Sequence, residues 1–164
     1  MNEKILRQVE EMKKQTIGVE VEMNNITREK AASIAAQFFG TGRHKYTAGR
    51  NGYMTWSVWD VQGREWKFQK DVSISGPDSE KCELVTPILT YADMELLQEL
   101  IRRLRKAGAK SDATRGCGVH IHIGAKGHTY SPRLIFSQNF SIIPFGLTPL
   151  IKACFLKLGY QLKS

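Results

Sequence analysis

TIGVEVEM, residues 16–23, alternates strictly: Ile17, Val19 and Val21 fall on one face of an extended chain, Gly18, Glu20 and Glu22 on the other. CGVHIHIGAKGH, residues 117–128, repeats the pattern, with Val119, Ile121 and Ile123 opposed to His120 and His122. A period of two is the signature of a half-buried strand. Both stretches therefore read as strands with an apolar face and a face of ionisable groups.

The flanking segments fit around such strands. Ile5, Leu6, Val9 and Met12 recur at helical spacing in residues 2–15, and Thr27 is placed to cap TREKAASIAAQFF, which Gly40 ends. Residues 40–52, GTGRHKYTAGRNG, read as a loop. YMTWSVWDVQGREWKFQKD (53–71) reads as a hairpin turning at Val61-Gln62-Gly63, and CELVTPI (82–88) as a further strand. Thr90 or Asp93 caps DMELLQELIRRLRKAG, which closes at Gly108. The order α-β-α-β-β-β-α-β lacks βαβ spacing, so the expected fold class is α+β, a largely antiparallel sheet with flanking helices.

Composition narrows the partners. A chain of 164 residues, 41% hydrophobic and 24% charged, is of single-domain size. No stretch approaches a membrane span or a signal peptide. Three cysteines without a CxxC spacing point to reduced thiols and a cytoplasmic setting. The net charge of +8 is not a nucleic-acid footprint: residues 131–164 hold four basic residues and no acid, and the rest is spread over solvated helix faces such as RRLRK (102–106).

Glu20 and Glu22, two residues apart on one strand face, bring their carboxylates within about 6.6 Å along the chain. His120 and His122 do the same on theirs. An ExE or an HxH alone is commonly solvated surface. Together, each backed by apolar residues, they suit one or two divalent cations, because paired carboxylates repel and invite a counter-charge. Glu83 joins them more weakly, and Asp71 and Ser73 leave the hairpin where turn residues are ordinary. A donor set of carboxylates with one or two imidazoles favours Mg²⁺ or Mn²⁺ over a closed zinc site. Cys117 and His120, three apart in a strand, point to opposite faces and make no zinc pair. There is no phosphate-binding glycine loop, so nucleotide phosphates would need metals and scattered cations: Lys67 and Lys70 on the hairpin, or Arg43, Lys45 and Arg50 before it.

Four blocks in order, GVEVEMNNITREKAA, WDVQGREWKFQKDVSI, CELVTPIL and GVHIHIGAKGH, resemble the amidoligase family of the carboxylate–amine ligase superfamily, related to glutamine synthetase and glutamate–cysteine ligase. The resemblance covers residues 16 to about 130. It implies part of a glutamine-synthetase-like catalytic sheet, with ATP and Mg²⁺ or Mn²⁺ as cofactors. It also implies a reaction in which a small-molecule or peptide carboxylate is joined to an amine through an acyl phosphate. By resemblance Glu20, Glu22 and Glu83 are metal ligands, His120 or His122 belongs to the histidine motif that holds metal and nucleotide phosphate, and Asp71 and Ser73 lie on the family's Asp-Gly-Ser turn near the substrate. His120 is assigned to the metal, and His122, with the hairpin cation Lys67, to the nucleotide. Val72 stands where that turn has glycine. The chain after Ser131 departs from the family in the same place that it loses its acids. This gives an expected division into a partial catalytic domain (1–130) and a divergent tail (131–164), from a truncated or frameshifted gene. A half-length ligase leaves its sheet for a second copy or a partner protein to cover. The competing readings are an incomplete ligase without activity, a non-catalytic metal- or nucleotide-binding remnant, and a small metal-dependent hydrolase.

Overall fold

A computed structural model describes residues 3–48 and 52–124. The expected tail domain, Arg50 and Cys154 lie outside the described residues. The elements are α1 (Glu3–Lys13), β1 (Ile17–Met23), α2 (Arg28–Phe38), β2 (His44–Ala48), β3 (Thr55–Trp59), β4 (Glu65–Gln69), β5 (Cys82–Val85), α3 (Met94–Lys106) and β6 (Val119–Ile123). The strands form one sheet in the order β2-β3-β4-β5-β1-β6, with every neighbour antiparallel. This is the expected α+β arrangement. No helix among the described residues is long and apolar enough to cross a membrane.

The apolar side of the alternation builds the core. Val19, Val21 and Met23 of β1 join Leu84, Phe68, Trp66 and Val58 of the neighbouring strands against Ala31, Ala32, Ala35 and Ala36 of α2 and Leu100, Ile101 and Leu104 of α3. Four buried alanines let α2 lie close over β3 and β4. Thr27 Oγ1 accepts from Lys30 N at 3.2 Å, and Gly40 follows the helix with φ +70°, as the sequence predicts for both caps. α1 forms where its periodicity predicts; the side chains of Ile5, Val9 and Met12 lie outside the described ones. Cys82 is fully enclosed, and burial pushes its thiol up to about 12, which keeps it an inert core residue.

Two expectations change. The Gly-rich loop at 40–52 contains a strand: His44–Ala48 pairs with β3 as a sheet edge, all five residues exposed. Its hydrophobic alternation is faint because neither face is buried, so only pairing reveals it. The strand at 82–88 is regular only to Val85. Pro87 has no N–H for a ladder, and contact with β1 continues through Thr86, whose Oγ1 accepts from Val19 N at 2.9 Å, and through a bridge between Leu89 and Ile17.

Candidate functional site

Antiparallel register carries the polar side of the alternation across the sheet. Gln69, Glu83 and Glu22 are successive partners on β4, β5 and β1. One row along, Lys67, Val85, Glu20 and His120 are successive partners, and His122 pairs with Gly18 beyond them. Each sequence motif contributes one strand's share, and pairing makes them a single surface on the side away from α2 and α3.

The chain then folds back over that surface. Residues 71–76 run out from β4 and are held by residues 113–118: Ser75 N donates to Arg115 O at 2.8 Å, and Gly116, with φ +81°, lies so close that an added Cβ would stand 2.8 Å from Ser73 O. This return brings Asp71 to the acids on the strands. One oxygen each of Glu22, Asp71 and Glu83 lies within 4.8 Å of the others. Glu22 and Glu83 are only 4% and 5% exposed. Glu22 accepts from Ser73 Oγ at 3.2 Å and from Gly118 N at 2.7 Å, while Gln69 Nε2 donates to Glu83 Oε2 at 2.8 Å. Asp71 Oδ1 takes the N–H of Ser73 at 2.6 Å, an Asx turn. Val72, 82% exposed, needs no positive φ there, so the missing glycine does not disturb the turn.

The ion pairs of the described residues give these three carboxylates no lysine or arginine. Burial, above all, pushes Glu83 up to about 7; the Gln69 hydrogen bond works against it, and the charges of Glu20, Asp71 and Glu22 add to it. Three carboxylates this close, two of them buried and with no cation paired to them among the described residues, are a donor set short of positive charge. They fit a hard divalent ion.

Glu20 belongs to a separate group. Its Oε2 is 3.2 Å from His120 Nδ1 and 3.2 Å from His122 Nε2, at the more exposed border of the sheet. The residues read as one ligand set thus divide in two: Glu22 and Glu83 stand with Asp71, Glu20 stands with the histidines. Register explains the division, since Glu20 is one row away from Glu22 and opposite His120. Beside Glu20 and His122 opens a cleft of about 310 Å³ lined by Gly18, Val85, Thr86 and Ile88.

The basic candidates also separate. Lys70 is tied to Asp78, and Arg43 lies 5.5 Å over the Trp59 ring. Lys67 stays on the polar face, its ammonium 3.6 Å from Glu65, and Lys45 lies opposite Ser57 on the edge strand. Cys117 is buried, with its thiol pushed up by burial, while His120 is exposed, so the two do not form a zinc pair. Gln69 was not singled out from the sequence, although alternation in EWKFQ already places it on the face of Lys67.

The family model described as "Putative amidoligase enzyme" matches residues 13–143. The chain belongs to the amidoligase family. Membership gives it a ligase-like function, and the match spans both acid and histidine groups of the amidoligase sheet. Neither a curated protein nor a solved structure matches the chain.

Proposed function

We propose that this amidoligase is an ATP- and Mg²⁺- or Mn²⁺-dependent carboxylate–amine ligase. In this reading a substrate carboxylate takes the γ-phosphoryl group of ATP, and an amine attacks the acyl phosphate to leave an amide and inorganic phosphate. The observation that carries it is the buried carboxylate cluster on the polar face of the sheet, in a chain of this family. Glu22, Asp71 and Glu83 would hold one cation, and Glu20 with His120 and His122 a second. Bound there, divalent ions supply charge neutralisation for phosphate oxygens.

The chain's own groups do the positioning. Gly118 N–H and Ser73 Oγ fix both oxygens of Glu22, and Gln69 fixes one of Glu83, so the donors are pre-oriented. Lys67, on the same row as Glu20 but two strands away, would meet a nucleotide or substrate anion. The cleft beside Glu20 and His122, apolar along Val85 and Ile88, suits the uncharged part of a ligand whose charged end meets the acids. The carboxylate and amine substrates, small molecules or peptides, lie across this face.

The test is ADP formation by the full chain with Mg²⁺ and mixed carboxylate and amine pools, read together with mass detection of the joined product. Joining that needs ATP, metal and both substrates, and that Glu22→Gln removes, is the expected result. Metal-dependent turnover of a product amide without ATP would favour a hydrolase. Nucleotide or metal binding with no turnover would leave a binding protein.

A further inference from the structure

Two residues past Glu22, Asn24 continues the same strand face. Its backbone exchanges both hydrogen bonds with Lys110, N–H to O at 2.7 Å and O from N–H at 3.0 Å, so the extended alternation of β1 persists to this position. Glu20, Glu22 and Asn24 therefore point to one side of the sheet. Asn24 is 2% exposed, and its Oδ1 is buried with no hydrogen-bond partner among the described residues. A buried amide oxygen left unpaired weakens a fold, and an apolar side chain of the same size would be better tolerated there. The site calls for a donor that arrives from elsewhere.

The spacing says which donor. One strand repeat separates Glu22 from Asn24, about 6.8 Å between backbones. Asn24 is one methylene shorter than Glu22 and one repeat beyond the Glu22–Glu83 pair, so with metal–oxygen bonds of about 2.1 Å its amide oxygen stops short of an ion held among Glu22, Asp71 and Glu83, and a water fills the interval. Mg²⁺ keeps several of its waters, and a cation-bound water is a stronger donor than a free one.

We propose that Asn24 is a positioning residue of the site formed by Glu22, Asp71 and Glu83, its Oδ1 accepting a hydrogen bond from a water in the shell of the divalent cation held there. The inference rests on the cation reading above and adds a residue to it. Asn24 makes cation binding and relief of the unpaired oxygen one event. It sets where one water of the shell stands and therefore which positions are left for substrate oxygens.

Calorimetric titration of the full chain with Mn²⁺ and with Mg²⁺ tests this, alongside thermal melts in EDTA, for wild type, Asn24→Leu and Asn24→Asp. Asn24→Leu is expected to bind Mn²⁺ about 10-fold or more weakly, within the range for outer-shell partners, while its EDTA melt is no lower than wild type. Asn24→Asp, which keeps an acceptor oxygen, is expected to bind at least as tightly as wild type. Unchanged affinity in Asn24→Leu overturns the proposal, as does weakened affinity with a matching fall in the EDTA melt, which marks a structural role. If Asn24→Leu does not fold, a loss of affinity in Asn24→Asp overturns it and retention supports it. A wild type that binds neither ion removes the cation reading itself, and this proposal with it; binding that only Asn24→Leu leaves untouched removes this proposal alone.

Discussion

Glu83 is the residue in which the sheet's conflict is concentrated, because it is enclosed and faces three other carboxylates. Its folded pKa, about 7, lies above the usual 4.5, so the native state holds a proton that the unfolded chain has released. Stability from this group is therefore fully present below about pH 4.5 and is lost as pH rises to about 7, with an upper bound of about 3 kcal/mol. Urea denaturation in EDTA is expected to show wild type weaker at pH 8 than at pH 5, and Glu83→Gln with that slope largely removed. Mg²⁺ or Mn²⁺ needs the ionised form, so cation affinity is expected to climb with pH up to about 7, with proton release detectable by calorimetry in buffers of different ionisation enthalpy. Glu83→Gln that binds Mn²⁺ as tightly as wild type at pH 8 would remove Glu83 from the ligand set.

The β3–β4 hairpin depends on one turn carboxylate. Asp60, 3% exposed, accepts from Gln62 N, Arg64 N, Arg64 Nε and the buried Trp66 indole, at 2.8 to 3.0 Å. Burial alone raises its pKa; the Trp66 and Arg64 donors outweigh that and hold it below the usual value. Arg64 reaches on to Asp93 at 2.9 Å, and Asp93 also caps Thr90 N–H at 2.8 Å, so the turn is tied to the start of α3. Asp60→Ala is expected to cost about 3 kcal/mol, since it strands buried donors. Asp60→Asn, which keeps one acceptor, should cost less. Chemical denaturation at neutral pH ranks the two, and equal losses would show that a neutral acceptor cannot stand in for the carboxylate. A depressed carboxylate stabilises above about pH 4 and stops doing so as pH falls through its lower folded value, so the Asp60→Ala deficit should shrink in acid.

At the scale of the molecule, the candidate site exists only because two distant segments meet above the sheet. Gly116 is where they touch, and its positive φ and the 2.8 Å approach to Ser73 O leave no room for a side chain. Gly116→Ala is expected to lose about 1–3 kcal/mol of stability through combined strain and displacement. Because Asp71 rides on the displaced segment, cation affinity should fall with it even at temperatures where the variant is fully folded. Circular dichroism melts and Mn²⁺ calorimetry measure the two separately. A stability loss with intact cation binding would show that Asp71 is not positioned from across the sheet.

Alternation in TIGVEVEM and GVHIHIG showed, without any structure, which face of each strand is apolar and which polar, because the face that packs on the core must be apolar. Val19 and Val21 are buried there, while Ile121 and Ile123 on the edge strand are only half-buried. Thr27, Gly40 and the Val61-Gln62-Gly63 turn were legible for the same local reason: caps and turns are set by backbone geometry within a few residues. The edge strand at His44–Ala48 was not legible, since a strand buried on neither side leaves little hydrophobic signal. Nor was the grouping of the acids. Sequence placed Glu20 with Glu22 as neighbours on one strand, while pairing set Glu20 against His120 and Glu22 against Glu83, and a returning loop added Asp71. Register and loop return are long-range properties, fixed by which strands burial of the core brings side by side, and they alone decided which charges share a site.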